Sequence, residues 1–143
     1  MRDWLFLPAL NRLEDLALLL LRIGTGAFLV YGTWDNVSDP ARMAEFAGFL
    51  RQFGFPAPGL MAPLSAYAQF LGGLLLIGGF LTRWNGLVQA LQFTVAILMV
   101  DRFAPTGLRG VWPAGALVLI GLYLAARGAG RLSVDAAVEP RRR

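Results

Sequence analysis

The stretch "LALLLLRIGTGAFLVYGTW" (Leu16–Trp34) carries a single charge, Arg22, in a run otherwise made of aliphatic, aromatic and small residues. Residues 60–81, 84–100 and 111–126 have the same character and hold no charge. A helix rises about 1.5 Å per residue and the hydrocarbon core of a bilayer is about 30 Å thick, so roughly 17 to 25 residues make one crossing. The four stretches predict an all-α polytopic membrane protein, a four-transmembrane-helix bundle. The last two are short, and their flanking Trp84 and Trp112 suit the headgroup layer, where a ring with a polar tip is favoured.

Composition agrees. A chain of 143 residues that is 57% hydrophobic and 15% charged lacks the polar surface of a water-soluble domain. One membrane domain is expected over 1–143. Cysteine and histidine are both absent, which removes disulfides, thiol chemistry, imidazole bases and the common soft metal ligands. No catalytic residue and no metal site are expected, and no nucleic acid as partner. Arg22, the acidic Glu14 and Asp15, and the lack of a small-x-small cleavage site make the first span read as retained rather than as an export signal.

Arginine placement sets the expected orientation. Arg2, Arg12, Arg83, Arg127, Arg131 and Arg141 to Arg143 fall on one side of four crossings, and Arg42, Arg51, Arg102 and Arg109 on the other. The positive-inside rule then places both termini in the cytoplasm. The tail 127–143 is polar, contains Pro140, and reads as flexible.

The longest connection is patterned. Asp39-Pro40 supplies an N-cap and a first-turn proline, and Met43, Phe46, Ala47, Leu50 and Phe53 recur at helical spacing. Gly54, Pro56 and Pro58 end the run. An amphipathic helix between spans 1 and 2 is expected, lying on the outer leaflet or folded over the bundle.

Polar residues within the spans fall on stripes. Arg22, Gly26, Leu29, Thr33 and Asn36 share one face of the first span, with Thr25 beside them; Ser65 and Gln69 lie in the second, and Asn85, Gln89 and Gln92 in the third. An amide or hydroxyl facing hydrocarbon unpaired is costly, so these faces should turn inward as a seam lining a candidate ligand site. Each residue also has a purely structural reading. Arg22 is close enough to the headgroups to snorkel, the amides serve equally as interhelical glue, and Asp101 reads as an interfacial ion pair with Arg102. Gly72, Gly73, Gly78, Gly79, Gly115 and Gly121 read as close-packing positions.

The segments "LLLLRIGTGAFLVYGTWDNV" (Leu18–Val37), "GFPAPGLMAPL" (Gly54–Leu64), "QFLGGLLLIGGFLTRWNGLVQA" (Gln69–Ala90) and "GAGRLSVDA" (Gly128–Ala136) resemble the DoxX family of small four-span bacterial membrane proteins. The resemblance aligns the family's first-span arginine with Arg22 and its Gly-x-x-Thr-Arg turn with Gly79, Thr82 and Arg83. It implies a non-catalytic subunit or partner of a respiratory or redox complex linked to quinone, with oxidoreductase partner subunits and a lipid bilayer around it. Where many relatives carry an acid in the second span this chain has Gln69, and it has "YGTWDNV" where many have a basic residue after the glycine, which leaves Asp35 and Asn36 as a subgroup feature. Quinone is then the ligand to consider for Arg22, Thr25, Thr33, Asn36, Gln69, Asn85, Gln89 and Gln92. A small transporter acting as a homo-oligomer, and an assembly scaffold, are the alternatives.

Overall fold

The computed structural model describes residues 8–103 and 107–138, with side chains described for 10–100 and 107–138. Every regular element among them is helical: a 3-10 turn (Pro8–Leu13), then α1 (Glu14–Ser38), α2 (Pro40–Gln52), α3 (Pro58–Gly78), α4 (Thr82–Phe103), α5 (Gly107–Arg127) and the short α6 (Val134–Val138). The segments Leu10–Ser38, Pro58–Gly78 and Gly107–Arg127 are long and apolar enough to cross a membrane. α4 is as long, but Asn85, Gln89 and Gln92 lie within it and dilute its apolar character.

Burial shows what the solvent must be. Only 28%, 28% and 11% of the apolar windows in those segments are covered by the rest of the chain. Leu20, Phe28, Tyr31, Leu91, Leu98 and Leu119 point outward instead. In water so much exposed apolar surface would drive aggregation; in lipid it is the required exterior. The candidate ion pair of Asp101 with Arg102, and the Arg141 to Arg143 cluster, lie outside the residues whose side chains are described.

Asp39 alone joins α1 to α2. The residue before a proline is pushed out of the helical region, and Asp39 stands at φ −125°, ψ 114°. Its N–H closes α1 on the Asp35 carbonyl at 2.9 Å, while its carboxylate accepts from Ala41 N at 2.8 Å and caps α2. The expected apolar stripe of α2 faces the bundle: Leu50 is buried, Met43, Phe46, Ala47 and Phe53 are half-buried, and the helix packs on α3 and α1. On its outer side Arg42 bridges Asp35 and Glu45. The Asp35 hydrogen bond, followed by the charges of Glu45 and Asp35, raises the Arg42 pKa above its ordinary value.

Ala57, which precedes α3 between two prolines, adopts the left-handed conformation at φ 44°. A side chain there costs about 1–2 kcal/mol, which glycine avoids. Ala57→Gly should therefore raise stability, by up to about 1 kcal/mol after the added chain entropy of glycine is subtracted. Thermal unfolding in detergent checks this.

The largest interfaces pair α1 with α3 and α4 with α5. Each pair crosses at two facing glycines. A Cβ on Gly26 would stand 2.5 Å from the Gly73 carbonyl oxygen, and one on Gly86 2.5 Å from that of Gly121. Small residues let backbones meet where both helices are surrounded by lipid. Between the pairs lies a core of Leu18, Leu29, Leu76 and Leu124 with Phe93, Leu117 and Ile120 against it. Gly72, Gly73, Gly79 and Gly121 are thus close-packing positions as expected, but Gly78 and Gly115 are not: no atom comes within 4 Å of where their Cβ would be.

The segment after α5 corrects a second expectation. Gly128–Val138 does not trail away as a flexible tail but folds back over the end of the bundle where α1 begins, here called the proximal end. Gly128 (φ 81°) and Gly130 (φ 78°) make the reversal, Asp15 accepts from Arg131 N at 3.0 Å, and Asp135 N donates to the Gly79 carbonyl at 2.9 Å. Residues 139–143 lie outside the described residues.

Candidate functional site

Three layers of bonding close the proximal end. Glu14 at the start of α1 pairs with Arg127 at the end of α5, with 2.9 Å from Nε. Arg83 donates to the carbonyls of Ala125 and Ala126 at 2.9 and 2.6 Å, filling acceptors that the last turn of α5 leaves open. α3 ends in a Schellman turn, with Gly79 N on Leu76 O and Phe80 N on Leu75 O, and Gly79 left-handed at φ 67°.

Arg22 lies beneath this layer and is fully buried. It does not snorkel to the surface, because the returning segment covers it. Its Nη2 donates to the Leu132 carbonyl at 2.5 Å. Its Nη1 occupies the space that a side chain on Gly79 would fill. Nε and Nη1 have no hydrogen-bond partner among the described residues, and the same holds for the buried Thr82 hydroxyl. Asp135 is the carboxylate whose charge acts on Arg22, but its oxygens go elsewhere: they accept from Leu81 N at 2.8 Å and Thr82 N at 2.9 Å, at the open N-terminus of α4. Ser133 caps α6 by accepting from Ala136 N at 3.1 Å.

The remaining seam residues do not converge with Arg22. Asn85 donates to the Gly72 carbonyl at 2.7 Å, and Gln89 donates to Ala68 O at 2.9 Å and to Asn85 Oδ1 at 3.2 Å. These bonds pin α4 to α3. Gln69 reaches only Ser65 on its own helix, at 3.2 Å, and Thr33 returns its hydroxyl proton to Leu29 O at 2.7 Å. Asn36 is half-buried at the other end of α1. Gln92 is half-buried, and its Nε2 lacks a partner among the described residues. Thr25 faces a void of about 10 Å³ that it shares with Leu29, Leu76, Gln89 and Phe93. That volume is at the limit for one water and does not fit a quinone ring. Arg22, Thr33, Asn85 and Gln89 are buried, but only Asn85 and Gln89 join one helix to another, and the seam residues do not line one chamber.

Sequence reasoning missed two parts of the knot. Arg83 entered it through charge bias and the Gly-x-x-Thr-Arg turn but was given no partner, although an arginine opposite a helix C-terminus has an obvious acceptor set. Asp135 went unassigned, although a serine two residues ahead of an aspartate after a Gly-x-Gly break signals a short capped turn.

A bundle of apolar-surfaced helices with its polar groups turned inward defines a polytopic all-α integral membrane protein. The chain belongs to the DoxX family, whose model matches residues 17–102. It is 32% identical over 130 residues to "Inner membrane protein YqjF" of Escherichia coli (strain K12), covering 88% of this chain and 95% of that protein. No solved structure matches it. The relative and the apolar helices together make this a multi-pass protein of the bacterial inner membrane.

Proposed function

We propose that this chain is a non-catalytic membrane subunit of a quinone-linked redox assembly, crossing four times with both termini in the cytoplasm and offering partners a rigid helical body. The closed interior carries this reading. Asn85 and Gln89 are spent on interhelical bonds, Gln69 and Thr33 on their own helices, and the central void is about 10 Å³. Resemblance to the DoxX family supplies the redox context. In this reading the quinone is held by a partner subunit, and α4 makes the fourth crossing, its amides shielded against α3 and the α4–α5 face.

The test is isolation of the tagged full chain from native membranes at endogenous level. The expected result is co-isolation of a flavin- or haem-bearing oxidoreductase, with quinone lost when that partner is stripped away. Proteoliposomes of the chain alone should leak solutes no faster than empty vesicles. Selective solute flux, or unchanged respiration in a deletion strain together with no oxidoreductase partner, would overturn the proposal.

A further inference from the structure

The returning C-terminal segment is held almost entirely by polar bonds. Ala129 is buried at its root between the left-handed Gly128 and Gly130, but beyond it Leu132, Val134 and Val138 all remain exposed, so the rest buries little apolar surface. An element tied by a few hydrogen bonds and little burial opens at low free energy compared with the bundle beneath it. What it covers is cationic and under-bonded. A buried guanidinium with two nitrogens lacking partners is unusual, since burial of a charge is costly unless its donors are filled.

The bonds the segment makes are those an oxyanion would make. Asp135 places a carboxylate on Thr82 N, the first amide of α4, and on Leu81 N just before it, where the helix N-terminus favours negative charge. Leu132 places a carbonyl on Nη2, the nitrogen shared by both bidentate edges of the guanidinium. The segment thus occupies the grip of Arg22 and the mouth of α4 together. Thr82 and Asp135 also border a cleft of about 890 Å³ open at the proximal end, edged by Arg83, Arg127 and Arg131. The acids beside it, Glu14 and Asp15, are already bonded to Arg127 and to Arg131 N.

We infer that Arg22, Thr82 and the first amides of α4 form an oxyanion site whose closed state is filled by the chain's own Leu132–Asp135 segment, and that a phosphate group competes with this segment and releases it. The phosphate is either free or carried on a lipid headgroup; both offer the planar-edge acceptors that arginine grips. Release uncovers Arg22 and turns the C-terminal segment into an exposed strand of chain at the proximal face.

Hydrogen exchange on the full chain tests this. In dodecyl maltoside micelles, which contain no phosphate, inorganic phosphate is titrated against chloride at equal ionic strength; in a second arm, phosphatidylglycerol is titrated into the same micelles without inorganic phosphate. The amides of the released segment, Asp135 on Gly79 O and Arg131 on Asp15, should exchange about tenfold faster or more in at least one arm, while those of Leu81 and Thr82, passed from Asp135 to phosphate, stay protected. A response to phosphate assigns a soluble ligand, and a response to phosphatidylglycerol alone assigns the headgroup. Arg22→Gln should abolish the response. Asp135→Asn should raise basal exchange and lower the phosphate or phosphatidylglycerol content needed for half-effect. No response in either arm, an equal response to chloride, or a wild-type response in Arg22→Gln would overturn the inference. If Arg22→Gln does not fold, an unchanged half-effect in Asp135→Asn overturns it equally.

Discussion

Gly73→Leu should leave a chain that inserts into the membrane but does not hold α1 against α3. A Cβ at Gly73 would stand 2.6 Å from the Gly26 carbonyl oxygen, 2.8 Å from Val30 Cγ2 and 3.1 Å from Val30 N. Two of those neighbours are backbone atoms of a continuous helix and have no rotamer to change. The helices must separate, and every contact along their interface loosens with them. Overpacking a well-filled core costs about 1–3 kcal/mol when side chains can adjust. Here the obstacle is main chain, so the loss should exceed about 3 kcal/mol, and Gly86→Leu should do the same to the α4–α5 pair. Gly24→Ala, Gly32→Ala and Gly78→Ala meet nothing within 4 Å and should leave stability unchanged or raise it, by up to about 1 kcal/mol. Thermal unfolding in detergent, followed by tryptophan fluorescence and size-exclusion profile, separates the two groups. Equal effects in both would mean that the glycine contacts do not organise the bundle.

That contrast also marks how far the sequence could be read. Apolar length and periodicity give the four long helices and α2, because a helix in lipid must satisfy its own backbone and announces itself by composition. The inward face of α1 was legible for the same reason: Arg22, Gly26, Leu29 and Thr33 lie at spacings of three and four, and all are buried. Which glycines touch was less legible. Gly78 and Gly72 look alike in sequence, but contact depends on the azimuth of α3 against α1 and α4, which a glycine count does not carry. Gly86 escaped notice among the polar residues Asn85 and Gln89, although it faces Gly121.

The site was legible in its members and not in its connections. Burial of Asn85 and Gln89 follows from the cost of unpaired amides in hydrocarbon, but their acceptors are backbone carbonyls of α3, which no side-chain pattern displays. Arg22 shows the same limit more sharply. Its depth in α1 is compatible with reaching the headgroups, and what decides otherwise is a carbonyl 110 residues along the chain, at Leu132. Polar sequence past the last span reads as a loose tail when only its composition is weighed. Its order comes from individual bonds: Asp135 on the α4 amides, Arg131 N on Asp15, and Gly79 O on Asp135 N.

Gly79→Ala should strike that knot at its centre. The residue is left-handed at φ 67°, where alanine costs about 1–2 kcal/mol. In addition the new methyl group would collide with Arg22 Nη1 and Cζ and lie 2.7 Å from Ser133 Cβ. The guanidinium has no free direction, being enclosed by the bundle below and Leu132 above, so the segment over it must lift, and Gly79 O then loses Asp135 N. The combined loss should reach about 2–5 kcal/mol, the conformational cost plus that of overpacking. It should be accompanied by faster exchange at Asp135, Leu81 and Thr82. Gly128→Ala is the control: that residue is also left-handed, at φ 81°, but a Cβ there meets only the tip of Arg83 at 3.3 Å, so it should pay the conformational cost alone. The double variant Gly79→Ala/Arg22→Ala separates the terms further. With the guanidinium gone the methyl group has room, so the pair should cost less than the two single changes added together, by about 1 kcal/mol or more. Additive costs, or a Gly79→Ala loss equal to that of Gly128→Ala, would show that the packing of Arg22 against Gly79 does not hold the C-terminal segment in place.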